Sequence, residues 1–129
     1  MFPEIVSIEK GEITPSLKRL VLEQNWNNKL FCSKFIIITS TSDKFKLSER
    51  FDVRIKDRFF CYATVLDIQT FRLSEIVSLG YNLFDCGLEQ KEFMEHMADR
   101  YRGRKWWKDG DTSMQVIFFN KVEQLKIPL

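Results

Sequence analysis

Phe51, Val53 and Ile55 alternate with Asp52, Arg54 and Lys56, and after Asp57-Arg58 a second run extends from Phe59 to Ile68. This pair of runs constrains the fold more than any other part of the chain. A period of two puts successive side chains on opposite faces of an extended strand, so the first run is a strand with one wet face. The second run is apolar on both faces, as a strand in the middle of a sheet would be. The short spacer between them implies an antiparallel hairpin.

Strands are also predicted at Ile5–Ile8, ended by Lys10-Gly11, at the β-rich Phe35–Thr41, and at Gln115–Val122. Three helices are predicted around them. The first starts with Thr14 as N-cap and Pro15 at the first helical position, carries the stripe Leu17, Leu20, Val21 and Gln24, and ends at Asn25-Trp26-Asn27-Asn28. A second, short helix covers Leu73–Val77, with Ser74 as cap and Gly80 as stop. The third, Glu89–Tyr101, has Phe93, Met94, Met97 and Tyr101 on one side, charged residues elsewhere, and Gly103 after it. Strands outnumber helices and do not alternate with them, which argues for an α+β architecture, a barrel or half-barrel, over a doubly wound sheet.

Composition sets the limits. A chain of 129 residues is the size of one domain, spanning 1–129 here, and its 44% apolar content with twelve Phe supplies an aromatic-heavy core. Twenty basic residues nearly cancel eighteen acidic ones, so any nucleic-acid site has to come from local clustering. Cys32, Cys61 and Cys86 are widely spaced, which suggests neither a disulfide framework nor a zinc ribbon and fits a reducing, cytoplasmic setting. The N-terminus does not read as a signal peptide, and Phe35–Ile38, the longest near-continuous apolar run, is too short to span a bilayer, so a soluble protein without membrane partners is expected.

The stretch Arg50–Val122 resembles the ASCH family of the PUA-like superfamily. The resemblance is carried by Phe51-Asp52-Val53-Arg54-Ile55, by Cys61-Tyr62-Ala63-Thr64-Val65-Leu66-Asp67-Ile68 with Leu73-Ser74-Glu75-Ile76, by the Phe93 helix, and by Val116-Ile117-Phe118-Phe119-Asn120-Lys121-Val122. It implies an α+β, PUA-like mixed β-barrel with three flanking helices. It also implies a ligand cleft near Phe31–Thr39 in which Lys34 takes part, and RNA, single-stranded nucleic acid or a modified nucleobase as partner. Some members of the family are amidohydrolases acting on acetylated cytidine. That alternative activity would draw on Lys34, on Thr39 or Thr41, and on Glu49 or Glu75.

One further segment stands out chemically. Arg100, Arg102, Arg104, Lys105 and Lys108 interleave with Tyr101, Trp106 and Trp107. Cations that track phosphates, together with flat rings that stack on bases, are what single-stranded nucleic-acid sites require. The same residues also fit a structural role, with Arg100 and Arg102 at the negative end of their helix and the Trp pair covering the end of the barrel. Arg54 and Lys56, with Arg50, either contact phosphates from the wet face of their strand or are solvated there. The candidate binding set is therefore Lys34, Arg54, Lys56, Arg102, Arg104, Lys105, Trp106 and Trp107. His96, the only histidine, lies off the apolar stripe of its helix and reads as a surface residue. Glu92, Glu95, His96 and Asp99 lack metal-ligand spacing, and the chain has no Gly-rich phosphate loop, so no cofactor is expected. A protein-interaction domain remains a further alternative, on the strength of the aromatic content.

Overall fold

A computed structural model describes residues 4–8, 17–25, 29–30 and 32–122. Strands β1 (Glu4–Ile8), β2 (Lys18–Leu22), β3 (Lys34–Ser40), β4 (Arg50–Ile55) and β5 (Arg58–Arg72) come first. Helices α1 (Leu73–Ser78), α2 (Tyr81–Cys86) and α3 (Gln90–Tyr101) follow, and β6 (Ser113–Lys121) closes the order. The strands form one six-stranded sheet in the order β1-β2-β4-β5-β6-β3. Every pairing is antiparallel except β2 with β4. The fold is α+β with a mixed sheet, as expected. The sheet ends at β1 and β3, which do not pair, so it is open where a closed barrel was expected.

The hairpin is present as read. Ile55 pairs with Arg58 across the turn Lys56-Asp57. Lys56 takes a left-handed conformation (φ 56°), and its backbone N–H donates to Leu22 O at 2.7 Å. Lys56 is thus a turn residue, although the alternation put it on the strand.

One face of the sheet carries Leu20, Leu22, Phe35, Ile37, Phe51, Val53, Ala63, Val65, Ile117 and Phe119, closed over by Leu30 and Phe45. Ala63 lies between Phe51 and Lys121 in the register, and its small side chain lets the Phe51 and Phe119 rings from the flanking strands meet at 5.8 Å. Phe45 and Phe35 extend the ring cluster. Edge-on and offset ring pairs of this kind add to the free energy of burial. The opposite face carries Ile36, Ile38, Met114 and Val116, covered by Leu73, Ile76, Cys86, Phe93, Met97 and Tyr101 from the helices.

Two helix assignments change. The segment Lys18–Leu22 is strand β2, not part of a helix: Leu20 and Leu22 are fully buried on alternate positions, and the segment pairs in parallel with β4. Leu17, Leu20 and Val21 fit a helical period while Leu20 and Leu22 fit that of a strand, and the partner strand decides between them. The proposed start at Thr14-Pro15 lies outside the described residues. Helix α2 was not foreseen and supplies the third flanking helix. In α1 the N-cap is Arg72, whose backbone N–H donates to Glu75 Oε1 at 3.0 Å, while Ser74 sits inside the first turn. That bond holds the Glu75 carboxyl below its usual pKa. Gly80, left-handed at φ 79°, ends α1 as expected and also opens α2. No described helix is long and apolar enough to cross a membrane.

Candidate functional site

Helix α2 reverses the usual amphipathic rule. Its buried residues are Asn82, Asp85 and Cys86, while Leu83 and Phe84 are 47% and 64% exposed. The polar residues are inside because β3 is an edge strand. The Ile36 C=O and Ile38 N–H point away from β6, and a buried edge needs partners for these groups. Lys29 Nζ donates to Ile36 O at 2.8 Å, and Ile38 N donates to Asp85 Oδ2 at 3.2 Å. Lys29 and Asp85 then pair with each other, both almost fully buried. Burial pushes the Asp85 carboxyl above its usual pKa, and the Lys29 charge beside it pulls it back. Asn82 Nδ2 donates to Leu88 O at 2.9 Å and closes the turn after the helix.

With α2 clamped in this way, its outer side forms one wall of a cavity of about 340 Å³, within the range of small-ligand sites. The lining includes Tyr81, Phe84, Phe118, Leu66, Cys32 and Lys34. Tyr81 is fixed edge-on to Phe118 at 5.7 Å and against Phe71 at 5.8 Å. Leu66, 48% exposed, is turned out by a bulge in β5 between Val65 and Asp67. Phe84 makes no ring contact with another described residue. The cavity thus joins a fixed ring, a free ring, an apolar floor and the exposed ammonium group of Lys34. Lys34 and Ile36 share a strand parity, so Lys34 lies on the helix-bearing face.

The other expected site residues lie elsewhere. Arg54 is engaged: its guanidinium donates to Asp52 Oδ2 (3.2 and 3.0 Å) and to Asp57 O (3.1 Å), and lies 5.9 Å from the Phe59 ring centroid. Asp52 is buried, with Arg19 Nε at 3.8 Å on its other side. The basic-aromatic loop sits at the far end of β5. Leu73 N donates to Thr112 O there, thirteen residues of β5 beyond Phe59 and about 40 Å along the strand. Trp107 is half-buried against the helix core, and its Nε1 donates to Asp109 Oδ1 at 3.1 Å. Trp106 packs on Tyr101 at 5.2 Å, with the Arg100 guanidinium over the same ring. Arg102, Arg104 and Lys105 are exposed. Lys34, Arg54 and the Trp106-Trp107 loop therefore occupy three separate places.

The residues considered for amide hydrolysis do not assemble either. Thr39 is of the opposite parity to Lys34 on β3, Glu49 pairs with Lys18 at 3.2 Å, and Glu75 caps α1. His96 is half-buried rather than a free surface residue, and burial lowers its pKa. Among the described residues no group of three or more His, Cys, Asp or Glu side chains is placed to hold a metal.

No protein-family model, curated protein or solved structure matches this chain.

Proposed function

We propose that this chain is a binding domain that receives a nucleobase in the cavity between α2 and the β3–β6 edge, as the ASCH-like pattern of its sequence implies. The observation that carries the reading is Phe84, an aromatic ring presented to solvent at the mouth of a ring-lined cavity that also holds Lys34. A base would slide between Phe84 and the fixed Tyr81–Phe118 pair, and Lys34 would meet the adjoining phosphate. Stacking of this kind contributes about 1–3 kcal/mol per base. Arg102, Arg104 and Lys105 would add a distant, sequence-independent attraction at most.

Fluorescence anisotropy with labelled nucleotides and single-stranded oligonucleotides across a salt series tests the reading. Saturable binding that is weakened by Phe84→Ala and by Lys34→Glu is the expected result. Absence of binding at low salt, or binding indifferent to both substitutions, overturns it. Leu79, at the end of α1, and Leu83 of α2 are both exposed and favour a second reading in which an apolar protein surface docks here. Loss of a protein complex on Leu79→Ser with Leu83→Ser, with no nucleotide binding, would select that reading.

A further inference from the structure

The pairing register places Lys34 opposite Asn120, Asn120 opposite Thr64, and Thr64 opposite Arg50. Directly opposed residues share a face, so these four side chains form one row across β3, β6, β5 and β4. The row starts at the cavity and extends over three strand spacings, about 14 Å. Lys34 and Arg50 are exposed at its ends, and Asn120 and Thr64 are half-buried between them. None of the four side chains makes a hydrogen bond or an ion pair with another described residue, whereas most cations nearby are engaged: Lys18 by Glu49, Arg54 by Asp52, and Lys121 by Leu30 O.

The helices cover this face only over Ile36, Ile38, Phe71, Met114, Val116 and Phe118, which leaves the row beyond their packing. Next to it lies Tyr62, paired with Asp52 and in contact with the 37% exposed Phe59 ring at 5.0 Å. Asp52, the acid nearest the row on this side, is buried and neutralised by Arg19 and Arg54. Asp67, the acid on the other side, is turned to the Ile68 N–H and Gln69.

A row with a cation at each end and a hydroxyl and an amide between them matches a chain of phosphates and sugars, which such groups bind without reading sequence. Rings beside the row suit further bases. Resting on the nucleobase reading of the cavity, we infer that the ligand is a short single-stranded nucleic acid and not a free nucleoside, its backbone crossing the sheet from Lys34 to Arg50.

Anisotropy titrations of a nucleoside monophosphate, a dinucleotide and a hexanucleotide decide the matter. The hexanucleotide is expected to bind at least tenfold more tightly than the monophosphate. Arg50→Glu should remove most of that gain and reduce the salt slope by about 0.7, the value for one single-strand phosphate contact. Arg50→Lys should restore it, and monophosphate binding should be unchanged in both variants. If length gives no gain, or Arg50→Glu leaves hexanucleotide affinity intact while Phe84→Ala still abolishes binding, the inference fails and the cavity reading stands. If no nucleotide binds, both fail together.

Discussion

The loop after α3 and the cavity beside α2 are opposites. The loop carries the densest mixture of cations and rings in the chain, yet its rings are engaged in packing: Trp107 sits on the core and Asp109, and the 41% exposed Trp106 rests on Tyr101 with Arg100 over that same ring, while Arg102, Arg104, Lys105 and Lys108 face solvent. The cavity carries few charges, and its polar groups are buried in the clamp, so that a free ring, a free ammonium group and apolar floor face solvent. Availability, not composition, separates a binding surface from a structural one. The loop's exposed cations can attract a phosphate chain, but indoles already packed on other groups stack less readily on a base.

The largest effect that would sharpen this contrast lies in the clamp. Asp85→Ala leaves Lys29 buried and unpaired, and removal of one partner from such a pair costs about 3–5 kcal/mol. Urea denaturation should show a loss of that size, and Lys29→Met with Asp85→Leu together should recover only a small part of it, because the Ile36 C=O and the Ile38 N–H then lose their partners. A loss under about 1 kcal/mol for Asp85→Ala would show that the pair does not hold α2 to β3.

Trp107→Ala comes next. A half-buried indole with one side-chain hydrogen bond should cost about 2 kcal/mol of stability, below the range for fully buried Trp. Nucleotide affinity of the folded fraction should not move. Unchanged stability with lost affinity would reverse the roles assigned to loop and cavity. Phe84→Ala should behave in the opposite way. Stability should stay within about 0.5 kcal/mol because the ring is mostly exposed, while affinity should fall about tenfold, the equivalent of one weak stack at 1.4 kcal/mol.

The contrast also explains what could be read from the chain beforehand. β4 and α3 were legible because each buries a face whose period is visible within a few residues, and β5, β3 and β6 because each is a β-rich apolar run that suits a strand covered on both faces. The Lys18–Leu22 strand was not, since Leu17, Leu20 and Val21 satisfy a helical period and only pairing with β4 selects the strand. Helix α2 was hidden for a stronger reason: it buries Asn82 and Asp85 and exposes Leu83 and Phe84, the reverse of what patterning assumes. Places where local rules fail in this way tend to be functional. Lys34, which the sequence singles out, lines the cavity. Lys29 was not, because its partner lies 56 residues away and nothing in Asn27-Asn28-Lys29-Leu30 announces a buried cation.

The smallest effect follows from the cysteines, and it distinguishes the two regions without any substitution. Cys32 is exposed and lines the cavity, whereas Cys61 and Cys86 are buried and held up to about 11 by desolvation. At pH 8 an alkylating reagent should therefore label Cys32 first. The other two have a thiolate fraction about a hundredfold below that of an ordinary thiol, and burial limits access as well. A pKa raised by folding means that the folded state keeps its protons longer. The stability contributed by these neutral thiols is complete below about pH 9 and declines as pH rises through 11. Saturating nucleotide should slow the labelling of Cys32 severalfold and leave tryptophan oxidation in the loop unchanged. Protection of the loop tryptophans with Cys32 still reactive would place the ligand on the basic segment and overturn the comparison.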